Sequence, residues 1–164
     1  MALRNIVTVG DPVLTKKCRP VVRFDDRLAE LIEDMKETMQ HANGVGLAAP
    51  QVGVLRRIVV VDAGDEIVEL VNPEIVSKSE EEQTGVEGCL SLPGEYGIVT
   101  RPMYVTVRAQ DRHGDWYEYD GEELVARCFC HEIDHLDGVL FTDRATHMYT
   151  DEEMEELYGG DNKE

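Results

Sequence analysis

The run His131-Glu132-Ile133-Asp134-His135 constrains this chain more than any other stretch. Two histidines four residues apart on a helix lie one turn apart on one face. From there both imidazoles reach one metal ion, and Glu132 stands where it can take a proton from a water beside that metal. The competing reading is a helix with two core histidines and a surface glutamate. It leaves two inward imidazoles with nothing to bind. The surroundings read as helix: residues 122–136 contain no Gly or Pro, and Gly138 follows as a stop signal. Projected at about 100° per residue, Leu124, Cys128, His131 and His135 fall on one stripe. Leu124 and Cys128 are residue types expected inside, so the stripe is expected to face the core. Cys130 projects about 100° from His131 and is not expected to share its metal.

A catalytic zinc-type site uses three protein ligands and one open position. One protease class supplies the third as HExxHxxGxxH. Here the run is HEIDHLDGVLF, with Gly138 present but Phe141 where that histidine would stand. The third ligand therefore comes from elsewhere. His41, His113 and His147 lie in polar surroundings. Asp134 and Asp137 project about 60° and about 120° off the histidine face. Cys89 is flanked by Gly88 in the glycine-framed stretch 85–94, and we select it. Without the metal motif, a buried structural cysteine would be the simpler reading.

A chain of 164 residues suffices for one domain with a proper core. We divide it into a single catalytic domain, 1–150, and an acidic tail, 151–164, helical to about residue 158. No apolar run approaches a membrane span and the N-terminus lacks a signal-peptide profile, which leads us to expect a cytoplasmic protein without membrane partners. Four irregularly spaced cysteines read as thiols. A formal net charge of −18 disfavours nonspecific binding to nucleic acid or anionic membranes, and solubility is its simplest explanation.

Along the chain, residues 6–9 form a short β-branched run, 12–14 a single helical turn, and Cys18 a partly buried apolar site. Residues 25–42 read as a helix with Asp25 as N-cap and Leu28, Leu31, Ile32, Met35, Met39 and Ala42 at helical spacing. Asn43-Gly44-Val45-Gly46 breaks it, and the two glycines allow close backbone approach. No Walker spacing follows, so this is not a phosphate loop. Gln51 is polar in an apolar neighbourhood, and its amide needs a partner, either backbone or substrate. Residues 57–61 read as a buried strand, 66–71 and 75–77 as shorter strands around Asn72-Pro73, and 80–82 as a solvated turn. A hairpin of 104–109 and 116–119 leaves His113 exposed at its turn.

Three of these segments together resemble the signature motifs of the peptide deformylase family: Gly44-Val45-Gly46-Leu47-Ala48-Ala49-Pro50-Gln51, Glu87-Gly88-Cys89-Leu90-Ser91 and the HEIDH run. The resemblance covers roughly residues 3–145. It implies an α+β fold, with antiparallel β-sheets packed around a central metal-binding helix. It implies removal of the formyl group from the N-terminal methionine of newly synthesised proteins, so the partners are N-formylmethionyl nascent peptides. Cys89, His131 and His135 would bind the metal, Fe²⁺ by resemblance, with Zn²⁺, Ni²⁺ or Co²⁺ as substitutes. Glu132 would be the general acid–base, and Gln51 with the Leu90 backbone N–H would hold the formyl oxygen. Gly44, Val45 and Gly46 would pair with the peptide backbone. Three departures stand out. Cys130 occupies a position often held by Gln. No arginine follows directly after Pro93. The tail is acidic, where a relative docks to the ribosome through a basic helix. A metallopeptidase and a noncatalytic metal-stabilised domain are the rival readings. A structural site normally closes all four positions with protein ligands, and only three convincing ones are found.

Overall fold

The computed structural model describes residues 2–156. Its frame is a five-stranded antiparallel sheet in the order β1-β2-β3-β6-β7, formed by β1 (Gly46–Ala48), β2 (Ile58–Asp62), β3 (Ile67–Lys78), β6 (Tyr104–Gln110) and β7 (Trp116–Glu122). A second antiparallel sheet, β4-β5-β8, consists of β4 (Glu82–Cys89), β5 (Leu92–Pro102) and β8 (His147–Met148). Helix α1 (Asp26–His41) covers one face of the larger sheet, and α2 (Leu124–Leu136) fills the space between its other face and the smaller sheet. The fold is α+β with antiparallel sheets around a central helix.

The sequence of β2 shows why the large sheet has two covers. Side chains alternate faces along a strand. Val59 and Val61 join Phe129, Ile133 and Leu136 of α2, while Ile58 and Val60 join Ile32, Met35 and Met39 of α1. A run of apolar residues without alternation is what a strand buried on both faces requires. Under the smaller sheet, Leu92, Val99, Leu140 and Phe141 make a separate cluster with Leu14.

Local chemistry sets the ends of the elements. Asp25 caps α1, its Oδ1 accepting from Leu28 N at 3.1 Å. Helix α2 has no side-chain cap; Glu123 precedes it at φ 52°, its carbonyl held by Gln83 Nε2 at 2.6 Å. The expected break at Asn72-Pro73 does not end a strand. Asn72 instead adopts φ 52° inside a continuous β3 and shifts its register against β6, and its side chain binds Val21 N and O at 2.8 and 2.9 Å. A positive-φ Asn with local hydrogen bonds makes a bulge there. Residues 6–9 form no ladder strand: Val7 N and Val9 N donate to Gln51 O and Ser91 O at 2.8 and 2.9 Å. Strands β4 and β5, absent from the sequence reading, take up most of the stretch 82–102. Of the acidic tail, α3 (Asp151–Met154) is helical, and residues 157–164, including the expected helix end at 158, lie outside the described residues.

Gly138 after α2 has φ 76°, and a Cβ there would lie 2.6 Å from the Thr15 carbonyl oxygen. Gly138→Ala is expected to destabilise the fold by at least ~1 kcal/mol from the left-handed backbone alone, with the backbone clash adding to it. Urea unfolding monitored by circular dichroism measures the change.

Candidate metal centre

Helix α2 lies amid packed side chains on nearly all faces, and its histidines point where the two sheets approach each other. His131 is 7 % exposed and His135 is fully buried. Cys89, at the end of β4, reaches them from the smaller sheet: its Sγ lies 3.4 Å from His135 Nε2. The donor atoms of Cys89, His131 and His135 lie within 4.8 Å of one another. Tetrahedral ligation with Zn–S near 2.3 Å and Zn–N near 2.0–2.1 Å puts neighbouring donors about 3.5 Å apart, so the arrangement suits one ion.

Two further observations fit a cation. Buried Glu132 Oε1 has no hydrogen-bond partner among the described residues, and native interiors rarely leave such a group orphaned. Burial also opposes protonation of His131, yet the Glu132 carboxylate and hydrogen bonds to Cys89 and Glu87 outweigh it and favour a positive charge there. A metal ion would supply that charge in the proton's place. His135 is driven the other way, down to about 3, by burial and by His131, which leaves its imidazole neutral. Phe141, at the third-histidine position of the protease motif, stacks on His131 with ring centres 6.0 Å apart.

The ring orientation of His131 is fixed from behind. Its Nδ1 lies 2.9 Å from Glu87 Oε1, which leaves Nε2 as the metal-facing nitrogen. Arg101 grips both oxygens of Glu87 at 2.9 Å each, and Arg127 Nη1 adds a bond of 2.5 Å. Arg101 also bonds Asp134 at 2.7 Å, and Arg144 closes on both oxygens of Asp134 at 2.6 and 3.0 Å. Burial pushes the Glu87 carboxyl up, but hydrogen bonds from Arg101 and His131 overcome it and hold the group well below the usual carboxylate range. Sequence reasoning missed this network. One signal was available: Arg127 precedes His131 by one helical turn, and a cation on an inward face needs a buried carboxylate.

Glu132 is 5 % exposed, and its Oε2 lies 3.9 Å from His131 Nε2. Burial pushes its carboxyl up to about 7, with His131 pulling against it. Gly46 makes room for it: a Cβ on Gly46 would meet Glu132 Oε2 at 2.6 Å and Cγ at 2.9 Å. At Gly44 a Cβ would meet the Leu90 side chain at 2.7 Å. Both missing side chains therefore make space for neighbours within the protein. The Gln51 side chain is buried and aimed: Oε1 accepts from Ala48 N at 2.9 Å, and Nε2 donates to Ser91 Oγ at 3.2 Å and lies 3.5 Å from Cys89 Sγ. Leu90 sits in the turn joining β4 and β5. A cleft of about 280 Å³ opens beside these groups, between Gly44-Val45-Gly46 on one side and Val86, Leu90, Tyr96, Leu124 and Cys128 on the other. Leu124 is 58 % exposed. The stripe that was expected to face the core faces this cleft at its N-terminal end. Cys130 lies off the stripe and is buried at 6 %, burial raising its thiol to about 11. His41, His113 and His147 are exposed.

A thiolate and two imidazoles, backed by a carboxylate and flanked by a buried glutamate, are the makings of a metal-dependent hydrolase site. Comparison with known proteins narrows this class. The sequence model of the polypeptide deformylase family matches residues 3–151. A peptide deformylase of Caldicellulosiruptor bescii is 54 % identical over 95 % of this chain and 93 % of its own length. One from Agathobacter rectalis is 55 % identical over 95 % and 100 %. The crystal structure of the Thermotoga maritima peptide deformylase superposes with a TM-score of 0.86 at 44 % identity, covering 88 % of this chain and 98 % of that one. A Synechococcus elongatus peptide deformylase in complex with actinonin gives 0.84 at 39 % identity, covering 96 % and 85 %. This chain belongs to the polypeptide deformylase family.

Glu87→Gln is expected to weaken metal affinity by about 10- to 100-fold, the usual scale for losing a carboxylate behind a histidine ligand. It should also destabilise the fold by about 3–5 kcal/mol by leaving buried guanidinium groups short of charge. Metal competition with a chromophoric chelator and denaturant unfolding measure the two effects separately.

Proposed function

We infer that this chain is a peptide deformylase, hydrolysing the formamide bond of N-formylmethionyl peptides to release formate and a free amino terminus. The observation that carries the reading is the convergence of Cys89, His131, His135, Glu132 and the Gln51 amide at one apolar cleft, in a chain of the deformylase family. Cys89, His131 and His135 would hold one divalent ion. We take it to be Fe²⁺, with Zn²⁺, Ni²⁺ or Co²⁺ able to replace it, since two imidazoles and a thiolate accept all of these. When bound, the ion acidifies a water and polarises the formyl carbonyl.

The chain's own residues supply the rest. Glu132 takes the water's proton and returns it to the departing amine nitrogen. A carboxyl raised to about 7 suits both halves of that task. The Gln51 amide lines the cleft, its Oε1 held by the Ala48 N–H and its Nε2 donating to Ser91 Oγ. With the Leu90 backbone N–H it would donate to the oxygen on which charge develops. Strand β1 is an edge strand, paired only to β2 within its sheet. Its free side at Gly46, with Gly44-Val45 leading into the strand, can bond an extended peptide, backbone to backbone. Val86, Leu124 and Cys128 offer an apolar berth for the methionine side chain. Residues 1–150 would act as one catalytic domain in the cytoplasm. The family match through residue 151 supports that boundary. The acidic composition of the tail gives no support to ribosome docking through it.

Comparing formyl-, acetyl- and unblocked Met peptides tests the reading. Turnover should be confined to the formyl substrate, while a peptidase would cut the unblocked one. Glu132→Gln should retain metal and lose at least ~10²-fold in kcat, the scale of a lost general base. Near-normal turnover in the metal-replete protein would assign the base elsewhere. Gln51→Ala should cost about 2.7–4 kcal/mol of transition-state stabilisation, seen mainly in kcat, with metal content unchanged. A Gln51→Ala protein that melts early yet turns over normally would remove Gln51 from the chemistry.

A further inference from the structure

One residue on the wall of the catalytic cleft does not suit an apolar berth. Val86, Leu124 and Cys128 line that wall, and Arg127 lines it with them. Arg127 is only 7 % exposed. Its Nη1 donates to Glu87 Oε2 at 2.5 Å and to Val99 O at 3.0 Å, and its Nη2 to Gln83 O at a long 3.4 Å. A guanidinium carries five N–H donors. The Nε donor and the second donor of Nη2 therefore have no partner among the described residues. Holding Glu87 does not by itself require this arginine. Arg101 already binds both carboxylate oxygens, Nε to Oε2 and Nη2 to Oε1, at 2.9 Å each. A buried cation with unused donors is costly unless something else accepts from it.

The position of the guanidinium suggests what accepts. It lies at the rung of the β4–β5 ladder where Gly85 faces Val99. A Cβ on Gly85 would stand 3.4 Å from Nη2, so the missing side chain lets the group lie against the β4 backbone beside Val86. Along α2, Arg127 precedes His131 by four residues, ~6 Å of rise. A methionine side chain laid in the berth from the metal ligands toward Leu124 brings its sulfur end to this guanidinium. We propose that Arg127 is a specificity-determining residue that gives the methionine pocket a hydrogen-bond-donating wall, so that the enzyme also deformylates chains whose N-formylmethionine carries a sulfoxide. The proposal rests on the deformylase reading. A thioether sulfur is a weak acceptor that an apolar pocket serves well. Oxidation to the sulfoxide makes the same side chain polar. In a pocket without a donor, an unpaired polar oxygen costs at least ~30-fold in kcat/KM. Here the spare N–H groups of Arg127 donate to it, and hydrogen bonds from a charged donor are the strong ones. The reaction itself is unchanged. Water adds to the formyl carbon, the C–N bond breaks, formate leaves, and the sulfur keeps its oxidation state.

The test compares kcat/KM of the metal-loaded enzyme for peptides of one sequence that begin with formyl-Met, formyl-norleucine or either epimer of formyl-Met sulfoxide. Norleucine replaces the sulfur with a methylene and so reports the apolar berth alone. In the wild type the better sulfoxide epimer should match or exceed norleucine. In Arg127→Met the ratio of sulfoxide to norleucine should fall by at least ~30-fold. Arg127→Lys keeps a charged donor and should restore most of that ratio. Loss of the contact with Glu87 lowers all rates together and cancels in the ratio, and metal content measured alongside reads that loss directly. A wild-type sulfoxide rate ~30-fold or more below norleucine would overturn the proposal. An Arg127→Met ratio equal to the wild-type one would also overturn it. The wild-type comparison needs no variant, so it decides even where Arg127→Met does not fold. Turnover of formyl-Met peptide with neither sulfoxide epimer accepted removes this proposal alone. No turnover of any formyl peptide removes the deformylase reading and this proposal with it.

Discussion

The site rests on one buried carboxylate. Glu87 is 5 % exposed and joins Arg101, Arg127 and His131, tying β4, β5 and α2 together at one point. An isolated carboxylate could not stay ionised at that depth. Two guanidinium groups keep it charged, and the charged form holds the His131 ring by its Nδ1. Asp134 extends the chain of ion pairs to Arg144 beyond the helix. A hydrophobic cluster of equal volume could match such a network in stability. It could not fix the rotation of an imidazole, and ligand geometry needs that rotation fixed.

Packing around the centre follows the same logic of making space where polar groups must sit. Glu132 lies against the backbone of β1 because Gly46 has no side chain. A Cβ on Gly88 would meet the Tyr96 ring at 2.6 Å, and one on Gly121 would meet Phe129 at 2.8 Å. The first lets the β4–β5 hairpin lay an aromatic ring over its own backbone beside Cys89. The second lets α2 approach β7 closely. Close packing of this kind restricts motion of the helix that carries both histidines.

Charge is distributed unevenly between interior and surface. The acids outnumber the bases on the chain as a whole. Around the metal ligands the arginines Arg101 and Arg127 and the carboxylates Glu87 and Asp134 are matched closely, so the site's own field is local and directional. Arg23, Arg27 and Arg56, which have no ion-pair partner among the described residues, line a groove at the N-terminal end of α1. Net charge therefore describes solubility and says little about either place.

How much the sequence determined depends on the range of each signal. Helical spacing and the HEIDH run placed two histidines and a glutamate on one turn, because a period of 3.6 is legible within a few residues. The same local reading located α1, its Asp25 cap and the buried strand β2. It selected Cys89 by elimination, and residues 3–151 match the family whose motifs the chain resembles. It also placed Leu124 in the core, because periodicity marks a face without saying whether protein or a cleft covers it. Only the tertiary structure paired Glu87 with Arg101, Arg127 and His131, which stand 14, 40 and 44 residues away. It alone oriented the Gln51 amide and gave Gly46 to Glu132. Ion pairs and close contacts across two sheets leave no periodic trace in the chain, since they depend on where distant strands come to rest against one helix.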